Sequence, residues 1–252
     1  MDEWSRAHLF QIPGETIQFC GADAIKGARI LDVGCGDMLA DMGYLRHGPR
    51  KLTGLDVNPL PYKNGFHTLA QRVRKTGYKR LPDNYAELLD FRLYDGRHFP
   101  FADASFDFVF SWSAFEHIHD IHAVLKEMHR VVTPAGRVFI QVYPWFGSRQ
   151  GSHLDEWIKE PFFQHTRSQT WVKEQIEAYL AANPQADRHF LGDYMMKEYR
   201  SLNRISCADL YEAVREVGFV ITRCGLVSHD VDLSEAPRGV PFAELMIGGP
   251  RC

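Results

Sequence analysis

The stretch that decides the fold is ILDVGCGDM, residues 30–38. It opens with a mostly apolar run, which is typical of a central strand in a parallel sheet. Gly34 and Gly36 then permit positive φ and carry no Cβ, so a ligand can approach the backbone closely. We expect a helix to begin at about Asp37 and to aim free N–H groups into the same space. A strand, a bare turn and a helix N-terminus together indicate a nucleotide-type site at the carboxyl edge of a sheet.

The bulk composition is that of an ordinary globular protein. The 252 residues are 45% hydrophobic and 24% charged, with a formal net charge of −3, so we expect no nucleic-acid partner. The five cysteines include no CxxC pair, which argues against a disulfide framework and a zinc site. The sequence has no run of about 18 apolar residues and no secretory signal. We therefore expect a cytoplasmic protein with no membrane partner.

Strands alternate with helices through the first 143 residues. We predict strands over 28–33, 51–59, 88–94, 105–114 and 137–143, and helices over 37–46, 66–75 and 121–132. The alternation breaks over 144–204, where helices are indicated at 170–182 and 193–200, and it resumes with a helix over 207–217 and strands over 219–227 and 242–247. This order predicts an α/β fold with a doubly wound, mostly parallel, seven-stranded Rossmann-like sheet. We expect one domain over 1–252, with an N-terminal cap over 1–27 and a helical substrate-lid insertion over 144–204 after strand five.

The second predicted strand ends on an acidic residue, Asp56. In a nucleotide-binding βαβ unit, an acid at this point accepts hydrogen bonds from both ribose hydroxyls. The alternative is a turn aspartate before Asn58 and Pro59. The distance in sequence from the glycine turn favours ribose binding.

Two ligand classes compete for the turn, a dinucleotide and S-adenosylmethionine. Leu39 occupies the position where the dinucleotide fingerprint needs a third small residue. Asp37, with Asp32 and Asp41 nearby, would repel a pyrophosphate but suits a ligand that carries a sulfonium and an ammonium group. Asp37 could instead serve as a helix N-cap.

Five motifs, in order, resemble those of the class I S-adenosylmethionine-dependent methyltransferases. They are ILDVGCG at 30–36, LD at 55–56, DG at 95–96, FDFVFS at 106–111 and LKEMHRVVTPAG at 125–136, and the similarity covers 28–143. The remainder is more loosely similar to members that modify sugars and other small metabolites, through GSHL at 151–154 and LNRIS at 202–206. The resemblance implies the fold of that family and S-adenosylmethionine as the cofactor.

The resemblance also implies contacts to the amino-acid part of the cofactor. Gly34 and Gly36 would lie under the ligand, and Asp32 at the strand end would orient the methionine moiety. Ser111 and Trp112, after the fourth strand, would lie near the methionine moiety and the methyl group.

A second group of residues would hold the nucleoside. Asp56, followed by Val57, would bind the ribose diol. Asp95 would accept a hydrogen bond from the adenine amino group, with Gly96 and Arg97 beside the ring.

Asp37 and Met38 complete the predicted cofactor turn. Asp37 is counted among the cofactor-binding residues because of the acidity of the turn. Met38 stands where the family often has a third glycine, and one interpretation is that its side chain packs against the ligand.

Transfer of a methyl group to a hydroxyl needs a general base, and two histidines are candidates. His153 is the first, because Asp155 and Glu156 are close in sequence and a carboxylate could orient its ring. His117 is the second; it belongs to a Glu-His pair that recurs in the family, where it is often structural. For both histidines the alternative is a packing role.

No metal is expected. Glu116, His117, His119 and His122 are close in sequence, but they lack the spacing of an HExxH-type motif.

The function that these observations favour is methyl transfer from S-adenosylmethionine to a hydroxyl of a small-molecule acceptor, sugar-like or a secondary metabolite. The alternative within the class is a C- or N-methyltransferase on a small molecule. From other classes, the rivals are a dinucleotide-dependent oxidoreductase and a non-catalytic cofactor-binding protein.

Overall fold

A computed structural model describes residues 1–62 and 64–225. Its central feature is one parallel sheet with the strand order β3-β2-β1-β4-β5. The strands are β1 Arg29–Val33, β2 Lys51–Asp56, β3 Leu89–Leu93, β4 Phe106–Trp112 and β5 Val132–Gln141. The order reverses between β1 and β4, and in open α/β sheets ligands bind outside the carboxyl ends of the strands at such a reversal. The predicted doubly wound parallel fold is confirmed in these strands.

Helices connect the strands and precede the sheet. The N-terminal region is helical over α1 Glu3–Arg6, a π-helix at Ala7–Gln11, α2 Ile12–Cys20 and a 3₁₀ turn at Ala22–Ala24. The α-helices that follow are α3 Leu39–Tyr44, α4 Phe66–Lys75, α5 Tyr85–Leu88, α6 Ile121–Val131, α7 Phe163–Thr166, α8 Gln169–Ala182, α9 Met196–Ser201 and α10 Cys207–Glu216. Short 3₁₀ turns lie at Leu45–His47 and Phe115–His117, and a second π-helix at His189–Met195.

The central strands form because they are buried. Ile30, Leu31 and Val33 in β1, and Phe108 in β4, are fully buried, as the apolar run predicted. Burial of such side chains contributes roughly 1.5–3 kcal/mol each. The position of β1 in the middle of the sheet therefore follows from its composition.

The end of α6 differs from the prediction. Asp120 caps the helix by accepting a hydrogen bond from the backbone N–H of Ala123, and the helix ends at Val131. β5 then begins at once, at Val132, rather than at residue 137 as expected. The Pro-Ala-Gly sequence at 134–136 lies in an irregular part of the strand, where the register with β4 shifts between Phe106 and Phe108. The turn residues therefore bulge the strand instead of preceding it.

The prediction of seven strands was wrong. The described residues contain five parallel strands. Of the predicted strand over 219–227, residues 219–225 are described and are not in a strand, and Val220 is 85% exposed. β-branched residues favour a strand only where a neighbouring strand pairs with them, and residue types alone do not decide whether one does. The predicted strand over 242–247 lies outside the described residues.

The chain divides into two compact units. Unit 1 comprises Met1–Phe115 and Asp120–Gln141, and contains the whole sheet. Unit 2 comprises Glu116–His119 and the chain from Val142 onward. Its core consists of apolar side chains from α7, α8 and α9, from the segment before α7 and from the segments between these helices, including Phe146, Leu154, Phe163, Ile176 and Tyr199. The single-domain organisation, the cap over 1–27 and the lid over 144–204 stay predictions.

In the part of the chain that is described, the helices are too short or too polar to cross a lipid bilayer.

Candidate active site

The sheet register brings the predicted cofactor residues of unit 1 to one edge. Val33 at the end of β1 pairs with Leu55, and Asp56 at the end of β2 pairs with Leu93 at the end of β3. β4 lies on the other side of β1, with Phe110 beside Asp32. The strands are followed by the glycine turn, Val57, Asp95 and Ser113, which therefore lie at the carboxyl edge of the sheet.

The two glycines of the turn serve different purposes. Gly34 has a φ of +78°, and a Cβ there would collide with the Cβ of Ala114, so packing alone excludes a side chain. Gly36 has a φ of +54°, and apart from its chain neighbours no described heavy atom lies within 4 Å of where its Cβ would be. Room for a ligand therefore exists over Gly36.

The carboxylate of Asp56 connects β2 to the turn. Its Oδ2 accepts a hydrogen bond from the backbone N–H of Gly36 at 2.9 Å, and its Oδ1 accepts one from Asn58 at 2.8 Å. The backbone carbonyl of Leu55 accepts from Gly34 at 2.8 Å. A carboxylate offers about four acceptor sites, so two N–H donors leave capacity for further hydroxyl groups.

Met38 takes the conformation that a third glycine would otherwise supply. It has a φ of 60° and a ψ of 22°, in the left-handed region, and α3 begins at the next residue. Its side chain is fully buried against β2, where a Cβ on Gly54 would lie 2.8 Å from its sulfur. The helix therefore starts two residues later than expected, and the Met38 side chain covers Gly54.

The Asp37 carboxylate accepts hydrogen bonds from three residues of the protein. Its Oδ2 accepts hydrogen bonds from Arg72 at 2.7 Å and from the Tyr62 hydroxyl at 3.0 Å, while Oδ1 accepts one from the backbone N–H of Leu39 at 3.0 Å. Burial, reinforced by the nearby Asp37 charge, raises the pKa of Tyr62 to about 12. Asp37 is therefore not the N-cap of α3, which is Met38; its contact to Leu39 is a local turn hydrogen bond, and its ion pair with Arg72 was not predicted.

Asp32 and Asp41 form a buried acidic pair. Both side chains are buried, and neither oxygen of Asp41 nor Oδ1 of Asp32 has a hydrogen-bond donor among the described residues. Burial, then the charge of the other carboxyl, holds the pKa of Asp32 well above its usual range. Burial raises the pKa of Asp41 to about 8. Two carboxyls this close cannot both ionise cheaply, so the pair retains a proton at neutral pH.

The predicted adenine residues lie in a tight turn after β3. Asp95 Oδ1 accepts hydrogen bonds from the backbone N–H groups of Arg97 and His98 at 2.8 and 2.7 Å, and the His98 ring lies 2.9 Å from Oδ2. These contacts, the His98 ring first, lower the pKa of Asp95 below its usual range. The Arg97 guanidinium lies 3.3 Å from Asp120. Val57, which is 52% exposed, stands beside Gly96 and offers an apolar surface at this edge.

Ser111 and Trp112 at the end of β4 have different environments. The Ser111 hydroxyl is buried and donates to the carbonyl of Val33 at 2.7 Å, which joins β4 to β1. Trp112 is half-buried, with its ring 6.0 Å from that of Phe139. Ser111 therefore has a structural contact that the sequence did not predict.

The two histidines proposed as bases lie in unit 2, where the structure brings them together. The ring centroids of His117 and His153 are 5.4 Å apart, with the planes at 87°. Nδ1 of His117 lies 2.8 Å from the Ser201 hydroxyl, and the His153 ring hydrogen-bonds the backbone of Pro144. Burial lowers the pKa of both rings, to about 4 for His117. Both imidazoles are therefore neutral at pH 7.

Glu116 lies in the same cluster as these two histidines. It is 2% exposed, and neither of its carboxylate oxygens has a hydrogen-bond partner within the described part of the chain. Burial raises its pKa to about 8. The sequence grouped Glu116 and His117 with His119 and His122, and only the fold shows that His153, 36 residues away from His117, is the third member of the cluster.

Most of the sheet, with the glycine turn, lies in a range that resembles a known family. Residues 31–140 match the family model described as "Methyltransferase domain". Over these residues the chain is similar to a methyltransferase domain. The predicted resemblance to methyltransferases is supported over this range, in agreement with S-adenosylmethionine as the predicted cofactor. The matched range contains the glycine turn, Asp56 and Asp95.

Three curated relatives show how far the likeness extends. Methyltransferase GfsG of Streptomyces halstedii is 31% identical over 118 residues, which are 47% of this chain and 38% of that protein. Demethylmenaquinone methyltransferase of Bacillus velezensis is 30% identical over 164 residues, 61% of this chain and 65% of the relative. Tocopherol O-methyltransferase of Arabidopsis thaliana is 24% identical over 245 residues, 93% of this chain and 64% of the relative. The chain spans less than two thirds of the length of each.

Several contacts around the glycine turn are not predictable from the sequence. Arg72 belongs to a charged helix face that is typical of a solvated surface, yet it pairs with Asp37. Ala114 and Gly54 have no chemical signature, although each sets the shape of the glycine turn. The buried acids behind the turn, Asp32 and Asp41, are by contrast indicated by the acidity of the sequence.

Proposed function

We propose that the chain is an S-adenosylmethionine-dependent methyltransferase that acts on a hydroxyl of a small-molecule acceptor, sugar-like or a secondary metabolite. The observation that carries the proposal is the Asp56 carboxylate at the end of β2, which holds the Gly36 N–H below an open space. The three relatives are all named methyltransferases, and the tocopherol enzyme is named an O-methyltransferase. That name supports a hydroxyl acceptor. A C- or N-methyltransferase remains the second candidate.

The residues present suit the cofactor. S-adenosylmethionine, when bound, supplies a methyl group on a positively charged sulfur. Gly36 gives the backbone room that its adenosyl part needs, and Asp56 retains acceptor capacity for a ribose diol. Val57 and Asp95 offer an apolar surface and an acceptor for adenine.

Methyl transfer depends mainly on positioning the acceptor and excluding water. A hydroxyl acceptor must also lose its proton, and a neutral imidazole can accept it. His153, and His117 as second choice, remain the predicted bases. Their lowered pKa values keep both rings neutral near pH 7.

Binding of S-adenosylhomocysteine, the demethylated product, tests the cofactor assignment. A ligand that binds only the folded state raises its stability by about 2.7 kcal/mol at a concentration of 100 times Kd. We expect the melting temperature to rise with S-adenosylhomocysteine and not with NAD. A rise with NAD alone would replace the methyltransferase with a dinucleotide-dependent enzyme.

The variant Asp56→Asn tests the predicted contact between Asp56 and the ribose. The variant loses a charged acceptor for the ribose, and hydrogen bonds to charged groups contribute about 1.5–3 kcal/mol, so Kd for S-adenosylhomocysteine should rise about 10- to 100-fold by calorimetry. Asp83→Asn is the matched control, because Asp83 is exposed and outside the site. Unchanged affinity in Asp56→Asn would remove Asp56 from the ribose site.

The acceptor class is tested with radiolabelled S-adenosylmethionine and a panel of hydroxyl, amine and activated-carbon compounds. We expect label in hydroxyl compounds. Transfer confined to amines or carbon would favour the second candidate, and binding of cofactor without transfer to any compound would favour a non-catalytic protein.

A further inference from the structure

The cluster of Glu116, His117 and His153 has a property that neither packing nor a single catalytic base explains. One ligand-type atom from each residue lies within 4.8 Å of the other two. All three residues belong to unit 2, so the cluster is complete within one compact body. Its members come from two segments that are 36 residues apart in sequence at their nearest, between His117 and His153.

The hydrogen bonds around His117 fix which ring nitrogen carries the proton. The Ser201 hydroxyl donates its hydrogen to the backbone carbonyl of Glu198 at 2.8 Å. Its oxygen must therefore accept from His117 Nδ1, which lies 2.8 Å away. Nδ1 thus carries the proton, and in the neutral ring the lone pair is on Nε2.

The same argument applies to His153. Its ring hydrogen-bonds the backbone of Pro144, and because proline has no N–H, the partner is the carbonyl and the ring is the donor. Nε2 of His153 is buried with no hydrogen-bond partner in the described residues, so the donor is Nδ1. His153 therefore also presents an unprotonated Nε2.

Glu116 supplies the third acceptor. Both of its oxygens are buried without a described donor. Its backbone is held firmly, since the Glu116 carbonyl accepts from Asn203 N–H at 2.8 Å and the Asn203 side-chain amide donates to the carbonyl of Ile118 at 2.7 Å. Two imidazoles and a carboxyl group thus converge, and within the described residues neither the Glu116 oxygens nor Nε2 of His153 has a hydrogen-bond partner.

We propose that Glu116, His117 and His153 bind one divalent transition-metal ion. Two histidine nitrogens and one carboxylate are a donor set used for zinc and for non-haem iron, and three protein ligands leave positions open for an oxygen ligand. Ligands at about 2.1 Å from a tetrahedral ion lie about 3.4 Å apart, so small side-chain rotations would close the cluster. Ser201 and the Pro144 carbonyl are the outer partners that orient metal-ligating histidines.

This proposal departs from the expectation of no metal, which considered only neighbours in sequence. It also gives the Nε2 lone pairs of His117 and His153 to the ion, in place of the role of a free base. A hydroxyl that coordinates a metal loses its proton more readily, so hydroxyl methylation would keep a route to deprotonation. Metal binding itself does not rest on the proposed methyl transfer.

The test is a metal titration of the full chain without an affinity tag, after treatment with a chelator. We expect equilibrium dialysis against zinc chloride to load one equivalent, measured by elemental analysis, and cobalt(II) to give the absorption of a nitrogen–oxygen site. Glu116→Gln and His153→Gln should each abolish stoichiometric loading. His189→Gln, which changes a histidine that is 89% exposed in the same unit, should load like the wild type.

Ser201→Ala addresses the outer partner and leaves all three ligands in place. Loss of such a partner lowers metal affinity about 10- to 100-fold, so the variant should load more weakly with an unchanged equivalence point. Failure of the wild-type chain to take up one equivalent of either ion would overturn the proposal. So would full loading of both Glu116→Gln and His153→Gln, with circular dichroism showing that they are folded. Binding of S-adenosylhomocysteine, measured on the same samples, reports the cofactor site separately.

Discussion

Replacing Asp41 by asparagine should change how the stability of unit 1 depends on pH. The pKa of Asp41 is raised from 3.8 to about 8, so the folded state holds a proton that the unfolded state has already lost between these values. The free energy of unfolding then falls as the pH rises from about 4 to 8. Asp32, whose pKa is raised by burial in the same way, adds to the slope.

The size of the effect follows from the shift. One pKa unit corresponds to 1.36 kcal/mol, and a shift of about 4 units gives an upper bound of roughly 6 kcal/mol. Relaxation and water penetration reduce the cost of a buried charge, so we expect at least about 2 kcal/mol. Asp41→Asn removes the charge, and its amide N–H can donate to Asp32. At pH 8 the free energy of unfolding of the variant should therefore exceed that of the wild type by about 2 kcal/mol or more. At pH 4 the two free energies should be equal.

The assay is equilibrium urea unfolding at a series of pH values from 4 to 8, followed by circular dichroism. The quantity of interest is the difference between Asp41→Asn and wild type, because Glu116, whose pKa is also raised to about 8, then contributes equally to both. Asp83→Asn, an exposed aspartate, should give a curve parallel to the wild type. If the Asp41→Asn curve is also parallel over this range, then Asp41 does not titrate there, and the buried carboxyls do not share a proton in the way described.

Further predictions concern packing and one ion-pair cluster. Gly43→Ala should destabilise by about 1–3 kcal/mol in denaturant unfolding, because its Cβ would lie 2.7 Å from the Leu9 carbonyl oxygen and this overpacking exceeds the roughly 1 kcal/mol gain in helix propensity. Gly14→Ala, in α2 with no described atom within 4 Å of the new Cβ, should instead stabilise by up to about 1 kcal/mol; destabilisation there would contradict the packing argument. Arg130 donates to Glu127, Asp103 and two backbone carbonyls, so Arg130→Lys should cost about 1–2 kcal/mol in the same assay. Arg215→Lys is the control, because Arg215 forms only an exposed ion pair at 3.5 Å, and it should change the free energy of unfolding by less than about 0.5 kcal/mol. Equal losses in Arg130→Lys and Arg215→Lys would contradict the larger role given to Arg130.

Local patterns predict much of the sheet. β1, the glycine turn and Asp56 are predictable because each depends on residues next to one another in sequence, such as an apolar run followed by glycines. α4 has the bounds that its sequence predicts, since its apolar residues recur at helical spacing. Elements that owe their existence to short-range patterns can be located from the amino-acid sequence alone.

The remainder depends on contacts between distant segments. The predicted strand over 219–227 has the right residue types, but nothing in its own sequence states whether a neighbour pairs with it. His153 meets His117 only because unit 2 folds two separate segments together. The role of Gly34 depends on Ala114, 80 residues later. Such facts are properties of tertiary packing and leave no trace in the local pattern.

Met38 and Gly54 form a pair that cannot change one member at a time. A glycine at position 38 would relax the left-handed backbone but open a cavity above β2, while any side chain at position 54 would strike the methionine sulfur. Each single replacement is therefore expected to lower stability, and the Cys35 sulfur, 2.6 Å from a Cβ at position 54, restricts that position further. The freedom of residue 38 and that of residue 54 are therefore linked, because the methionine side chain fills the space that the glycine leaves open.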